Sequence, residues 1–178
     1  MANDAEISAA PHKGPWRVAG WTIAALTLLA PLAAMQFTPD VNWTVGDFIF
    51  AGLLIGLVGI AFELTVRASS NYAFRGGVAA ALAAAFLIVW ANGAVGMIGN
   101  EDNPYNLLFL GVICVALIGA VAARFRAGGL AVAMLVAGFA HVAIAAGGIS
   151  SDLRGATISA ALGSLWLISA GLFRLGRG

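Results

Sequence analysis

Long apolar runs alternate with short polar connections along almost the whole chain. Each run is close to the roughly 20 residues that an α-helix, rising about 1.5 Å per residue, needs to cross a hydrocarbon core of about 30 Å. Barrel strands would be about ten residues long and would alternate in polarity. The pattern therefore predicts an all-α membrane protein, a six-transmembrane-helix bundle with spans at residues 17–37, 47–66, 77–99, 105–123, 129–147 and 156–173.

The start of the chain differs from the rest, because residues 1–16 are polar, contain proline and show no hydrophobic period. We predict a polar cytoplasmic tail over residues 1–16 and a single six-helix transmembrane domain over residues 17–178. A signal peptide is the alternative for the first apolar run, since LAPLAAMQ (29–36) ends in small residues behind a basic flank. The later connections are too short to fold alone.

Charged residues indicate how the helices cross the membrane, because Lys and Arg are retained on the cytoplasmic side of short loops. Basic residues lie before the first helix, in the second and fourth connections and at the end: Lys13, Arg17, Arg67, Arg75, Arg124, Arg126, Arg174 and Arg177. Acids fall in or beside the other connections: Asp40, Asp47, Glu101, Asp102 and Asp152. Only Arg154 departs from this division. The pattern predicts that the N and C termini are both cytoplasmic.

Composition agrees with a lipid solvent. The chain is 61% hydrophobic and 10% charged, with a mean hydropathy of +0.96, whereas a soluble domain is about 25% charged. A net charge of +1 provides no basic surface for nucleic acid, so the lipid bilayer is the predicted partner. No metalloprotease motif, nucleophile elbow, Walker loop or cysteine pair is present, so the sequence names no cofactor or metal.

Small residues at helical spacing predict which helix faces pack, because close backbone approach drives helix association in lipid. In the second helix Gly52, Gly56 and Gly59 share one face, which Glu63 continues. Glu63 is either the partner of Arg67 in an ion pair at the helix end or a group that handles protons or ions.

Two further stripes each carry a polar residue. In the third helix the stripe comprises Ala81, Ala85, Asn92, Gly96 and Gly99, and in the fifth Ala137, His141, Ala145 and Gly148. Asn92 is either an interhelical hydrogen-bonding residue or part of a binding site. His141 is either a satisfied core histidine or a ligand or proton carrier.

Polar chemistry is concentrated in residues 90–106, WANGAVGMIGNEDNPYN, which hold two acids and four asparagines. Together with neighbouring loops and the fifth helix they supply candidate ligand-binding residues at the outer face: Asn42, Asp47, Trp90, Asn92, Glu101, Asp102 and His141. Such a group could bind a hard cation or a small polar ligand. Alternatively the stretch is a solvated rim with unrelated helix caps, Asn103 before Pro104 capping the fourth helix.

The same stretch and residues 36–48, QFTPDVNWTVGDF, resemble an uncharacterised family of small bacterial multi-pass inner-membrane proteins. The resemblance spans residues 35–111. It implies a bacterial inner (plasma) membrane location and no particular reaction. It also implies that certain residues belong to a family pattern: Asn42, Trp43, Asp47, Glu63, Trp90, Asn92, Glu101, Asn103 and Pro104.

The predicted function is that of a non-catalytic inner-membrane protein. It would act as a small-ligand or ion-handling bundle, or as an accessory subunit of a membrane complex, and a homo-oligomer remains open. The alternative is a metal-dependent membrane enzyme with an active site at the outer (periplasmic) face, where His141 and nearby carboxylates would hold the metal.

Overall fold

The computed structural model describes residues 15–39 and 41–177. It contains six α-helices: α1 Pro15–Ala34, α2 Val45–Ala68, α3 Tyr72–Ala94, α4 Leu107–Ala122, α5 Ala127–Gly147 and α6 Leu153–Leu175. A short 3-10 helix, Pro104–Asn106, leads into α4. The described residues contain no strand, and, counting the 3-10 helix with α4, all six helices are long and apolar enough to cross a membrane. The prediction of an all-α chain with six helices that could each span a membrane is thereby confirmed over the described residues.

Most helix ends lie close to the predicted ones, but α3 is displaced. It begins at Tyr72 and not at Gly77, because the Asn71 side chain caps it by accepting a hydrogen bond from the Phe74 amide at 3.0 Å. It ends at Ala94, although the apolar run continues to residue 99. The prediction that Gly96 and Gly99 continue a helical stripe is therefore wrong.

Residues 1–14 of the predicted tail lie outside the described residues, and so does Asp40. Pro15 and Trp16 belong to the first turn of α1. Proline is well suited to this position, because the first amides of a helix have no intrahelical partner. The prediction of one domain over residues 17–178 stays a prediction.

Contacts between Cα atoms divide the chain into two compact units, one ending at Gly59 and one beginning at the next residue. In the first unit, the glycine stripe of α2 meets α1 at two positions. A Cβ atom at Gly59 would lie 3.0 Å from the Trp21 ring, and one at Gly52 would lie 4.0 Å from Leu28. Gly56 has open space beside it. Within the chain, the predicted close packing is therefore found at Gly59 and not at Gly56.

In the second unit the hairpin of α5 and α6 lies at the centre. α3 packs against α6 and α4 packs against α5, whereas α3 and α4 share few contacts although they are consecutive in sequence. The helices therefore stand in the order α3, α6, α5, α4. Because α3 and α4 are at opposite sides of this row, the chain that connects them must cross the end of the α5–α6 hairpin.

Small residues allow the helices of the second unit to approach closely. A Cβ at Gly77 would lie 2.9 Å from the Phe173 ring, and the Ser169 hydroxyl donates to the Gly77 carbonyl at 2.7 Å. Gly119 of α4 faces Ala133 of α5 in the same way, since a Cβ added at Gly119 would lie 2.6 Å from the Ala133 Cβ. Such contacts supply the packing that apolar burial cannot supply in lipid.

Candidate functional site

The connection between α3 and α4, residues 95–103, folds back over the end of the α5–α6 hairpin, and we call it the crossover loop. Gly96 and Gly99 have φ angles of +77° and +75°, in the left-handed region that residues with a Cβ atom avoid. A Cβ at Gly96 would also collide with the backbone carbonyl of Asn100. These two glycines end α3 and reverse the chain.

Two apolar residues of the crossover loop are buried in the bundle. Met97 and Ile98 are 4% and 1% exposed. Ile98 packs on Gly148 at the end of α5, where a Cβ atom would lie 2.7 Å from its Cδ1. The Ser159 hydroxyl of α6 donates to the Met97 carbonyl at 3.1 Å. The loop therefore closes this end of the α5–α6 hairpin.

Asn106 holds the backbone of the crossover loop in place. The residue is buried. Its Oδ1 accepts a hydrogen bond from the Ile98 amide at 2.8 Å, and its Nδ2 donates to the Asn100 carbonyl at 2.8 Å. One side-chain amide thus satisfies a backbone donor and a backbone acceptor that no helix or sheet provides for.

Asn103 caps the 3-10 helix, as predicted. Its Oδ1 accepts from the Tyr105 amide at 3.0 Å, its Nδ2 donates to the Ile98 carbonyl at 2.9 Å, and Pro104 follows at the first helical position. The Tyr105 hydroxyl donates to the Ile144 carbonyl at 2.7 Å. This last bond ties the entry of α4 to the end of α5.

Asp152 ties the crossover loop to α6. Its Oδ1 accepts from the Gly155 amide at 2.9 Å, which caps α6, and its Oδ2 accepts from the Gly99 amide at 2.9 Å. Hydrogen bonds from these two amides, that of Gly155 first, hold the pKa of the Asp152 carboxyl below its usual value. The carboxylate therefore has a structural role.

His141 lies in α5 beneath the crossover loop and is 0% exposed. Its Nε2 is 2.8 Å from the Ser159 carbonyl oxygen, and because a carbonyl can only accept, Nε2 must carry the proton. The Phe109 ring of α4 stands edge-on to the imidazole, with centroids 5.1 Å apart. Gly163 makes room for the imidazole, since a Cβ there would lie 3.0 Å from its Cδ2. Ser159 thus contacts the loop through its hydroxyl and the histidine through its carbonyl.

Two buried ring nitrogens have no hydrogen-bond partner within the described chain, namely His141 Nδ1 and Trp166 Nε1. Both residues belong to the α5–α6 interface, because a Cβ on Gly138, one turn before His141, would lie 3.2 Å from the Trp166 Cβ. With Nε2 protonated, Nδ1 is an acceptor, and the indole N–H is a donor. A buried unpaired polar group costs about 1–3 kcal/mol. Each of the two ring nitrogens therefore has unused hydrogen-bonding capacity inside the bundle.

The polar residues predicted on α3 make contacts within their own helix. The Asn92 Nδ2 donates to the Ile88 carbonyl at 2.8 Å, one turn earlier in the same helix, so this bond is not the interhelical one that was one of its two interpretations. Trp90 is half-buried and stacks on Phe86 with a centroid distance of 5.6 Å. Their role in a ligand site shared with His141 stays a prediction.

The predicted loop residues are exposed. Glu101 and Asp102 lie at the surface of the crossover loop, as the solvated-rim interpretation expects, and Asn42 is exposed in the first unit. The Asp47 carboxylate accepts hydrogen bonds from the Thr44 amide at 2.7 Å and from the Thr44 hydroxyl at 2.8 Å. The Asp47 amide in turn donates to the Thr44 hydroxyl oxygen at 3.3 Å. Asp47 is therefore part of a reciprocal cap on α2.

Glu63 forms the ion pair that was one of its two interpretations. Its Oε1 lies 2.8 Å from an Arg67 guanidinium nitrogen one turn later in α2. The Arg67 side chain is 67% exposed, so the pair is a weak, partly screened contact near the helix end. The separate proposal of ion or proton handling at Glu63 stays a prediction.

Over residues 15–39 and 41–177, no group of three or more His, Cys, Asp or Glu side chains is placed to hold a metal ion. Around His141 the neighbours are an aromatic ring, a serine and a glycine. These groups suit a neutral polar ligand better than a divalent cation, which prefers several oxygen or imidazole ligands. The metal-dependent enzyme gains no support from this geometry.

Four residues of the site were not recognised as such in the sequence, namely Asn106, Asp152, Ser159 and Gly163. Ser159 and Gly163 are four residues apart on α6, a spacing that places them on one face and that a search for small residues in the last helix would have found. Asp152 precedes Gly155 at the spacing of a helix cap. Asn106 has no such signal, because its partners come from the returning loop.

Comparison of the chain with protein-family profiles, curated protein sequences and solved structures found no significant match. The family resemblance of residues 35–111 therefore stays a prediction.

Proposed function

We propose that the protein is a non-catalytic, multi-pass inner-membrane protein whose α3–α6 bundle binds a small polar ligand, or carries a proton, at His141. The observation that carries this proposal is the unpartnered Nδ1 of a fully buried histidine within a membrane span. Ionisable side chains inside spans are costly, and those that persist usually serve a binding or transfer function.

We propose that the ligand donates a hydrogen bond to His141 Nδ1, which has no partner in the described chain, and that the unpartnered Trp166 indole N–H is a second contact for the same neutral molecule. Such a bundle would serve as an independent protein, as a homo-oligomer or as the accessory subunit of a membrane complex.

We also propose that both termini are cytoplasmic, on the basis of the arginine distribution. The test uses single cysteines in a Cys114→Ala background and a membrane-impermeant maleimide added to intact cells. Glu101→Cys should be labelled and Arg126→Cys should not. Labelling of position 126 from outside would contradict this orientation.

Nitrogen NMR of histidine-labelled protein tests the ligand proposal. A His12→Gln background leaves His141 as the sole labelled ring. We expect a neutral imidazole with the proton on Nε2, a Nδ1 chemical shift typical of an acceptor in a hydrogen bond, and magnetisation transfer to Nδ1 from water or from a bound molecule. A Nδ1 shift typical of a free lone pair, without transfer, would refute the proposal.

Two variants separate a ligand site from a packing role. Trp166→Phe removes the indole donor and keeps an aromatic ring, so it should change the Nδ1 shift when one ligand contacts both groups. Ser159→Ala is the matched control, because it removes the hydroxyl bond to Met97 and keeps the carbonyl that contacts His141. Equal effects of both variants on the Nδ1 shift would indicate general repacking and no bridging ligand.

A further inference from the structure

An apolar groove of about 460 Å³ runs along the outside of the second unit between α4 and α5. Its walls include Val115 and Val136, which are 40% and 51% exposed. Its floor consists of the small residues at which the two helices meet: Gly119, Ala123, Gly129 and Ala133. Both walls and floor are free of charge, so the groove matches a hydrocarbon chain.

The groove extends from the C-terminal end of α4 towards the middle of that helix. From Ala123, at the end of α4, to Val115 the helix rises about 12 Å. The hydrocarbon core is about 30 Å thick, so the groove covers less than half of it. It lies at the end of the helices opposite the crossover loop.

Three arginines belong to the segments at the end of the groove where Ala123 and Gly129 lie. Arg124 and Arg126 are exposed in the turn that follows Ala123. Arg177 donates to the Gly128 carbonyl at 2.9 Å, directly beside the groove residue Gly129. The sequence has no acidic residue from 103 to 151 or after 152, so no acidic side chain of these segments neutralises the arginines.

We propose that the groove and these arginines form a binding site for an anionic glycerophospholipid. One acyl chain lies in the groove, and the phosphate is held at the guanidinium groups of Arg124, Arg126 and Arg177. Guanidinium groups bind phosphate oxygens in pairs, and basic pockets between membrane helices favour lipids with a net negative headgroup. This inference uses none of the residues on which the His141 proposal depends.

Lipid titration of the full-length, delipidated protein by native mass spectrometry tests the site. The probes are phosphatidylglycerol and phosphatidylcholine with identical acyl chains, so only headgroup charge differs. We expect tighter binding of phosphatidylglycerol, with each arginine contributing roughly fivefold. The Arg124→Gln/Arg126→Gln variant should lose about 20- to 30-fold in phosphatidylglycerol affinity. Arg154→Gln, which removes a charge at the other end of the helices, is the matched control and should lose little.

The groove itself is tested with Val136→Trp, which fills it from its exposed wall and should weaken binding of both lipids. Leu117→Trp is the control, because Leu117 is 61% exposed on α4 and is not a groove residue. Helical circular dichroism and a monodisperse elution profile confirm folding of each variant. If the double arginine variant fails to fold, Arg126→Gln alone decides the question by a loss of about fivefold.

Three results would overturn the inference: equal affinity for the two lipids, a phosphatidylglycerol preference that survives loss of the arginines, or binding unaffected by Val136→Trp. Glycerol phosphate, which lacks acyl chains, identifies the source of the phosphate. Competition by glycerol phosphate at the same concentration as the lipid would show a site for free phosphate and would refute the lipid site.

Discussion

Replacing Asn106 with alanine should release the crossover loop from the bundle. The Asn106 side chain is 3% exposed and carries one hydrogen bond from the Ile98 amide and one to the Asn100 carbonyl, both at 2.8 Å. The substitution removes both bonds. The Ile98 amide then loses its acceptor in a buried position, whereas the Asn100 carbonyl belongs to an exposed residue and can turn to solvent.

The expected loss of stability follows from these two bonds. A buried donor that is left unsatisfied costs about 1–3 kcal/mol, and the loss of an ordinary hydrogen bond costs about 0.5–1.5 kcal/mol. The sum is a loss of about 1.5–4.5 kcal/mol in the free energy of unfolding. Asn92→Ala is the matched control. It removes one side-chain hydrogen bond, and the acceptor of that bond, the Ile88 carbonyl, keeps its backbone partner within the helix. We expect that control to lose less than about 1 kcal/mol.

The assay is reversible unfolding in mixed micelles, with the mole fraction of dodecyl sulfate as the denaturant and helical circular dichroism as the signal. Hydrogen exchange provides a second measurement, because the Ile98 amide should exchange faster in Asn106→Ala while the amides of α5 stay protected. Equal losses of free energy in the two asparagine variants, within about 0.5 kcal/mol, would refute the anchoring role of Asn106.

Two further predictions concern α2 and Asp152. Gly59→Leu should lower the free energy of unfolding by about 1–3 kcal/mol through overpacking against α1. Gly56→Leu should not lower it, because open space lies beside Gly56. Equal melting temperatures of the two variants would contradict this prediction. The lowered pKa of Asp152 means that its contribution to stability is complete above the ordinary value of 3.8 and is lost as the pH falls through the folded-state pKa. Asp152→Asn should therefore reduce the loss of stability on acidification, and unchanged acid dependence in unfolding titrations would count against the cap.

The sequence alone predicted a lipid solvent and the number and approximate bounds of the helices. Long apolar runs with few charges have only one favourable arrangement in lipid, because every backbone amide in the hydrocarbon core must be paired within its own segment. Local signals were sufficient for several details as well. Asn103 before Pro104 predicted its cap, and the four-residue spacing of Glu63 and Arg67 predicted their ion pair.

The tertiary structure decided the end of α3 and the contents of the site. Hydropathy predicted that α3 continues to residue 99. The chain turns at Gly96 and Gly99 instead, because partners far away in sequence, such as Asp152, hold the returning loop. Asn106, and not Asn92, anchors the crossover loop, because its hydrogen-bond partners also come from that loop. Helical periodicity reports which face a residue occupies but not which atom it meets across an interface. That His141 would bond with one ring nitrogen to Ser159 and leave the other unpaired depends on how α5 and α6 are aligned along their length, and only the packed bundle sets that alignment.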